Sequence, residues 1–172
     1  RYWHDGGWLH DVVDGPGGED DPSLRPNQVF AVALAPHLLT TAQSAAVVAC
    51  CVRELWTPHG VRSLAPGDPR YQGRYRGSPR ERDAAYHQGT AWSWLLGPLA
   101  RAHFNVHRDR GAATALFEPL LAQLRHGGLG TLGEICDGDP PHVPRGCFAQ
   151  AWTVAALLDT WTAINAETET TP

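Results

Sequence analysis

A carboxylate at position 134 opens the run of residues in which polar and stiff side chains are densest. Glu134 is followed by the loop 137–141 (DGDPP), then by Arg145, and then by a predicted helix start that carries Gln150. Proline restricts the conformations that a loop can adopt before a ligand arrives. A lone glutamate in a loop is usually a solvated surface charge, and the alternative is that this stiff loop holds the carboxylate in place for a ligand.

Two other groups of polar residues lie at predicted helix starts. The first group opens helix A and the second precedes helix C; their members are Arg25, Asn27 and Gln28, and Arg82, Asp83, Tyr86, His87 and Gln88. Amide and guanidinium groups can bind paired hydroxyls, and aromatic faces can pack on a ring. If helical hairpins bring these loops to one end of the fold, the three groups would form a site for sugar recognition.

Tryptophan is unusually frequent, with 7 residues against 4 phenylalanines and 4 tyrosines. Its face suits a sugar ring, but it suits ordinary cores and interfaces as well. Trp92 and Trp94 are two positions apart in a predicted helix and so cannot share a face, which leaves one to stack on a substrate and the other to join the core. Trp161, at helical spacing from Trp152, is expected to pack inside.

Several polar residues allow a structural role beside a binding role. Asp137 would either contact a sugar or brace Arg145. Arg25 would either reach a hydroxyl or pair with an aspartate of a loop. The same choice stays open for Asn27, Gln28, His87 and Gln88.

Composition and charge exclude several classes of function. The 172 residues, 42% hydrophobic and 19% charged, are enough for one globular core. The net charge of −4 argues against a nucleic-acid surface. The four cysteines form no C-x-x-C pair, so neither a zinc site nor a disulfide framework is expected. Because the sequence has no signal peptide and no apolar run of membrane-spanning length, we expect a cytoplasmic protein with no membrane partner.

Hydrophobic spacing predicts five helices, A to E. Helix A begins near Pro26, since proline is favoured in a first turn, and buries Val29, Phe30, Ala33 and Leu34. Helix B opens with a capping box of Thr40 and Gln43. Helix C begins near Gln88 and carries Trp92.

Helix D spans 112–125 with a kink at Pro119 and a Gly127-Gly128 cap, and helix E carries Phe148, Trp152, Ala155, Leu158 and Trp161. The remaining segments are predicted as a hairpin or extended lead-in, a long loop without regular structure, and a frayed tail, at 1–22, 57–83 and 167–172. The elements therefore predict an all-α chain built of helical hairpins.

Three sequence motifs are similar to those of one known family and occur in the same order. They are 24–28 (LRPNQ), 85–98 (AYHQGTAWSWLLGP), and 130–135 (GTLGEI) with 137–142 (DGDPPH) and 144–147 (PRGC). Over residues 1–166 the chain resembles the C-terminal part of glycogen debranching enzymes, the amylo-α-1,6-glucosidase catalytic domain. It departs from the common family pattern at Ser93, Gly133 and Cys136, and none of these changes removes a carboxylate.

This resemblance implies an (α/α)6 toroid, with residues 1–172 as the C-terminal part of one domain, and inverting cleavage of α-1,6-linked glucosyl stubs in branched α-glucan. By position, Glu134 resembles the general base of the family. The general acid would be an aspartate upstream of Arg1, where the chain starts in mid-pattern and without a methionine, so the rest of its own chain is an expected partner. Neither a metal nor an organic cofactor is expected. The expected substrate-binding residues are Arg25, Asn27, Gln28, His87, Gln88, Trp92, Asp137, Arg145 and Gln150.

Two other interpretations stay open. A toroid glycosidase for trehalose, sucrose or another short glucoside would carry a similar set of acidic and aromatic residues. A non-catalytic carbohydrate-binding or assembly piece is the second alternative, because only one carboxyl group of the pair that an inverting glycosidase needs is expected in this chain.

Overall fold

The computed structural model describes residues 1–126 and 129–166, which contain both helices and short strands. The α-helices are α1 (Val29–Leu34), α2 (Thr41–Glu54), α3 (Pro79–Ala85), α4 (Leu96–His107), α5 (Arg110–Ala115) and α6 (Ala151–Ala166). The strands are β1 (Trp3–His4), β2 (Trp8–Leu9), β3 (Trp56–Thr57), β4 (Gly60–Arg62), β5 (Ala91–Trp92), β6 (Ile135–Cys136) and β7 (Pro144–Arg145). Short 3-10 helices lie at Pro26–Gln28, Pro36–Leu38, Ser93–Leu95 and Glu118–Leu124. The helical prediction is confirmed in its main elements, but the strands make the all-α description too simple.

Helix α4 is the centre of the helical core, and it packs against α1, α2, α5 and α6. Leu96, Leu99 and Ala100 on this helix are fully buried. Gly97 allows α6 to come close, since a Cβ at this position would lie 2.6 Å from the carbonyl oxygen of Ala156. The segment 91–95, which leads into α4, therefore packs on this core and is supported by it.

The start of α2 agrees with the predicted capping box. The hydroxyl of Thr40 accepts a hydrogen bond from the Gln43 amide at 3.2 Å, and the Gln43 side chain accepts one from the Thr40 amide at 3.0 Å. Such reciprocal bonds satisfy two amides that the first helical turn leaves without partners. The capping box thereby sets the residue at which this helix begins.

The segment 57–83 contains regular structure that the sequence did not predict. Strand β4 begins at Gly60, and helix α3 begins after Ser78. A second capping box, between Ser78 and Glu81, starts α3, and Pro79 occupies its first turn. The prediction of a loop throughout this segment is therefore wrong.

Helices C and D also differ from their predictions. Helix C was expected near Gln88, but α4 begins at Leu96, because residues 91–92 form a strand that pairs on both sides. Helix D is divided into α5 and the 3-10 helix that carries Pro119 in its first turn. The predicted Gly127-Gly128 cap and the frayed tail 167–172 lie outside the described residues.

Strands β3 to β7 form one antiparallel sheet in the order β3-β4-β5-β6-β7. In this sheet Trp92 pairs with Ile135, and Ile135 pairs with Arg145 on its other side. This register places Glu134, the residue before β6, beside the segment that carries Trp92. Strands β1 and β2 form a separate hairpin, one of the two conformations predicted for residues 1–22.

Helix α6 buries a different set of residues from the one predicted for helix E. Its buried residues are Thr153, Leu157, Thr160 and Ile164. Trp161, which was expected to pack, is 52% exposed. None of the helices within residues 1–126 and 129–166 is long and apolar enough to span a bilayer.

Candidate active site

A cavity of about 570 Å³ lies between the segment that precedes α1, the segment 87–95 and the first turn of α6. It brings together five of the predicted binding residues: Arg25, Asn27, His87, Gln88 and Trp92. Its other lining residues are Asp11, Asp21, Pro26, Phe30, Ser63, Trp94, Leu95 and Trp152. The volume and the mixture of aromatic and polar groups suit a small polar ligand.

Two stacked aromatic pairs form part of the cavity wall. The ring of His87 stacks on Trp92 with centroids 5.1 Å apart and planes 4° from parallel. Trp94 stacks on Trp152 at 4.3 Å. Trp92 and Trp94 line the same cavity because residues 91–95 form a strand and a 3-10 turn. The prediction that they cannot share a face assumed an α-helix and is wrong.

Arg25 holds two of the polar groups together. Its guanidinium donates to the carbonyl oxygens of Ser63 at 3.0 Å and of His87 at 2.7 Å, and to the side chain of Gln88 at 2.8 Å. It also forms an ion pair with Asp11 at 3.5 Å. Of the two roles that the sequence left open, the structure shows the pairing with a loop aspartate.

Asn27 and Gln28 have different environments although they are neighbours. Asn27 is exposed at the cavity and donates to Asp11 at 2.8 Å. Gln28 is only 6% exposed and does not line the cavity. Its side chain accepts from the Leu9 amide at 3.1 Å and donates to the carbonyl oxygen of Arg25 at 3.0 Å. Gln28 therefore has a structural role here.

Glu134 is held by a hydrogen bond at each carboxylate oxygen. The Cys147 amide donates to Oε2 at 2.8 Å, and the Tyr86 hydroxyl donates to Oε1. Its backbone is fixed as well, since its amide donates to the carbonyl oxygen of Cys147 at 2.9 Å and its carbonyl oxygen accepts from the Ser93 amide at 3.1 Å. The partly buried carboxylate is thus confined to one orientation.

Glu134 does not line the cavity directly but is connected to it through Tyr86. The Tyr86 ring lies 4.7 Å from Trp92 and 4.9 Å from His87, centroid to centroid. One side chain, Tyr86, therefore joins the carboxylate to two aromatic residues of the cavity wall.

Asp137 and Arg145 form a buried brace outside the cavity. Asp137 is 1% exposed and accepts from Arg145 Nη2 at 2.9 Å and from the Tyr75 amide at 2.8 Å. The hydrogen bond to Asp137 raises the pKa of Arg145. The structure thus shows the brace, one of the two roles that the sequence left open for Asp137.

The loop after β6 is held by neighbours as well as by its prolines. Arg62 of β4 donates to the carbonyl oxygen of Gly138 at 2.9 Å. Asp139 accepts from the Tyr71 hydroxyl at 3.0 Å, and burial together with this bond raises the pKa of Tyr71 to about 12. Gln150, predicted to bind substrate, lies outside the cavity. Its backbone amide donates to the carbonyl oxygen of Leu132 at 2.8 Å.

The sequence did not single out Asp11, Asp21, Phe30 or Trp152 as binding residues. Asp11 and Asp21 belong to a loop rich in glycine and proline, where aspartate is ordinary turn chemistry. Backbone hydrogen bonds from Asp11 to Asp21 and from Asp21 to Val12 bring the two ends of this loop together. No local signal in the sequence could have revealed this closure.

Comparisons with known proteins show the family of the chain. The family model described as amylo-alpha-1,6-glucosidase matches residues 1–159. The glycogen debranching enzyme of Saccharomyces cerevisiae is 30% identical over 170 residues, which cover 81% of this chain and 11% of the yeast protein. The chain thus spans about a tenth of the length of this curated relative. The match over residues 1–159 shows that the chain belongs to the amylo-alpha-1,6-glucosidase family of glycosidases.

Proposed function

We propose that this chain forms part of a glycosidase active site that hydrolyses α-1,6-linked glucosyl stubs of branched α-glucan with inversion of configuration. The observation that carries the proposal is Glu134, whose carboxylate is fixed by two donors and joined through Tyr86 to the aromatic wall of the cavity. The family match and the name of the yeast relative support the substrate class.

Glu134 has the properties that a general base requires. Tyr86 and Cys147 each donate a hydrogen bond to one of its carboxylate oxygens, and an ionised carboxylate is the form that removes a proton from water. A carboxylate offers about four acceptor positions, so two such bonds leave room for a water molecule. The orientation of the proposed base is therefore set by the protein.

The second carboxyl group of an inverting pair must carry a proton. Asp11 accepts from Asn27 at 2.8 Å and lies 3.5 Å from Arg25. A hydrogen bond from Ser23 lowers the pKa of Asp21. Since both aspartates of the cavity are already bound by donors of the protein, we propose that the acid comes from the rest of a longer polypeptide. The helices packed around α4 would then be part of an (α/α)6 toroid.

Binding is assigned to the residues that face the cavity. Trp92, with His87 stacked on it, and the Trp94–Trp152 pair would pack on sugar rings. Asn27 and Gln88 would bind hydroxyls. Arg25 would act mainly by joining the two polar segments. Residues outside the cavity, which are Gln28, Asp137, Arg145 and Gln150, would position these groups.

The proposal is tested by hydrolysis with the full-length polypeptide. A panel of α-1,6-branched and linear α-1,4 oligosaccharides, with trehalose and sucrose, is followed by proton NMR from the first minutes of reaction. We expect glucose release from the branched substrates and β-glucose as the first product.

Each other outcome contradicts part of the proposal. α-Glucose as the first product would exclude inversion. Cleavage of trehalose or sucrose alone would show that the substrate is a short glucoside and not branched α-glucan. Binding of glucan without hydrolysis of any sugar in the panel would favour a non-catalytic carbohydrate-binding protein.

Gly146→Ala is expected to lower turnover by about 10-fold while the protein stays folded. Gly146 has a φ of +65°, and a Cβ there would collide with Oε2 of Glu134 and lie 2.8 Å from Cγ1 of Ile135. The carboxylate must therefore move, and a left-handed alanine costs about 1 kcal/mol. Steady-state kinetics and thermal unfolding of the variant measure both effects.

Gly67→Ala is the matched control, because Gly67 is exposed and a Cβ there would meet nothing within 4 Å. Its turnover should equal that of the parent protein. Equal turnover of the Gly146 variant would show that the orientation of Glu134 does not matter.

A further inference from the structure

Tyr86 lies between the cavity wall and the carboxylate of Glu134. It follows the last residue of α3, and its carbonyl oxygen accepts a hydrogen bond from Trp92 Nε1 at 3.1 Å. Its ring contacts those of Trp92 and His87, and lies 5.6 Å from that of Tyr75. Its hydroxyl donates to Oε1 of Glu134.

The Tyr86 hydroxyl remains a donor at neutral pH. Burial, and after it the hydrogen bond to Glu134, raise the pKa of Tyr86 above its ordinary value. The phenol therefore keeps its proton and remains available as the donor to Glu134.

We infer that Tyr86 is the positioning residue for Glu134 and links the orientation of this carboxylate to the sugar-facing wall. The inference rests on the proposed function. Oε2 is held by the backbone amide of Cys147, whereas the protein hydrogen bond to Oε1 comes from Tyr86. The terminal torsion of a glutamate is soft, so one anchored oxygen does not set the plane of the carboxylate. The Tyr86 hydroxyl supplies the second anchor.

The arrangement also ties the base to the binding wall. Trp92 and His87 hold the Tyr86 ring from one side, and Tyr75 contacts it as well. A sugar that packs on Trp92 would therefore restrain the group that orients Glu134. The base and the ring to be cleaved would keep a constant separation.

Tyr86→Phe in the full-length polypeptide tests the inference. The change removes one hydroxyl and leaves the ring in place. We expect kcat to fall about 10- to 100-fold, with KM changed less than about twofold. Tyr75→Phe, which removes a hydroxyl from the same aromatic cluster, should leave kcat and KM unchanged.

A second measurement does not depend on activity. Carbon-13 NMR of labelled glutamate, with the Glu134 signal assigned by its absence in Glu134→Gln, reports the environment of this carboxyl group. The chemical shift of the signal at neutral pH should change in Tyr86→Phe and remain constant in Tyr75→Phe. If the parent protein hydrolyses no α-glucan, the proposed function fails, and this signal still decides the structural link.

Two results would overturn the inference. An unchanged carboxyl signal and kcat in Tyr86→Phe would mean that the hydroxyl does not control Glu134. An equal loss of kcat in both tyrosine variants, with the carboxyl signal unchanged in both, would mean that Tyr86 contributes only to the packing of the cavity wall.

Discussion

Glu134→Gln is expected to lower the turnover of the full-length polypeptide by about 10²- to 10⁴-fold while its binding of branched glucan persists. Glutamine keeps the size of the side chain but cannot take a proton from water, and a positioned general base contributes about this factor. The single side-chain oxygen of glutamine can still accept a hydrogen bond from one of the two donors, the Cys147 amide or the Tyr86 hydroxyl. Initial rates, and binding to immobilised glycogen, measure the two properties separately.

Glu118→Gln serves as the matched control for this experiment. Glu118 is exposed at the start of a 3-10 helix, and it lies outside the cavity. Its replacement removes one carboxylate and should leave the rate unchanged. Near-normal turnover of Glu134→Gln would remove Glu134 from the role of base.

Asp137→Ala is expected to lower the free energy of unfolding by about 2–3 kcal/mol. The change leaves Arg145 without its buried partner and the Tyr75 amide without its acceptor. Because the Arg145 side chain is 34% exposed, water can replace part of the lost interaction, which keeps the effect below that of a fully buried pair. Urea denaturation monitored by tryptophan fluorescence gives the value.

Asp83→Ala provides the comparison for a carboxylate on the surface. Asp83 is exposed on α3, and its removal should change the stability by no more than about 0.5 kcal/mol. If Asp137→Ala were equally harmless but raised KM for the glucan, Asp137 would be a sugar ligand and not a brace.

The helices could be predicted where local signals are strong. The capping box of Thr40 and Gln43 sets the start of α2, and Pro26 marks the 3-10 turn that leads into α1. The sheet could not be predicted in this way, because its strands are two or three residues long and show no periodicity. Pairing of Trp92 with Ile135 joins segments that are far apart in the sequence.

The site was predictable by residue type but not by role. Arg25, Asn27 and Gln28 have the functional groups that bind sugars, yet the hydrogen-bonding capacity of Gln28 is taken up by the backbone of Leu9 and Arg25. Which polar groups remain available depends on contacts between distant segments. Asp11, for the same reason, enters the cavity only because its loop closes on Asp21.

The antiparallel sheet has a consequence for how members of this family can vary in length. Side chains alternate between the two faces of a strand, so one residue inserted within Ala91–Trp92 would reverse the direction of the indole. In the stretch between β4 and β5, length is constrained only where residues contact the sheet or the cavity wall, as Tyr71, Tyr75 and Tyr86 do. Insertions and deletions in homologues should thus accumulate between such contacts, whereas the residue count across each strand stays constant.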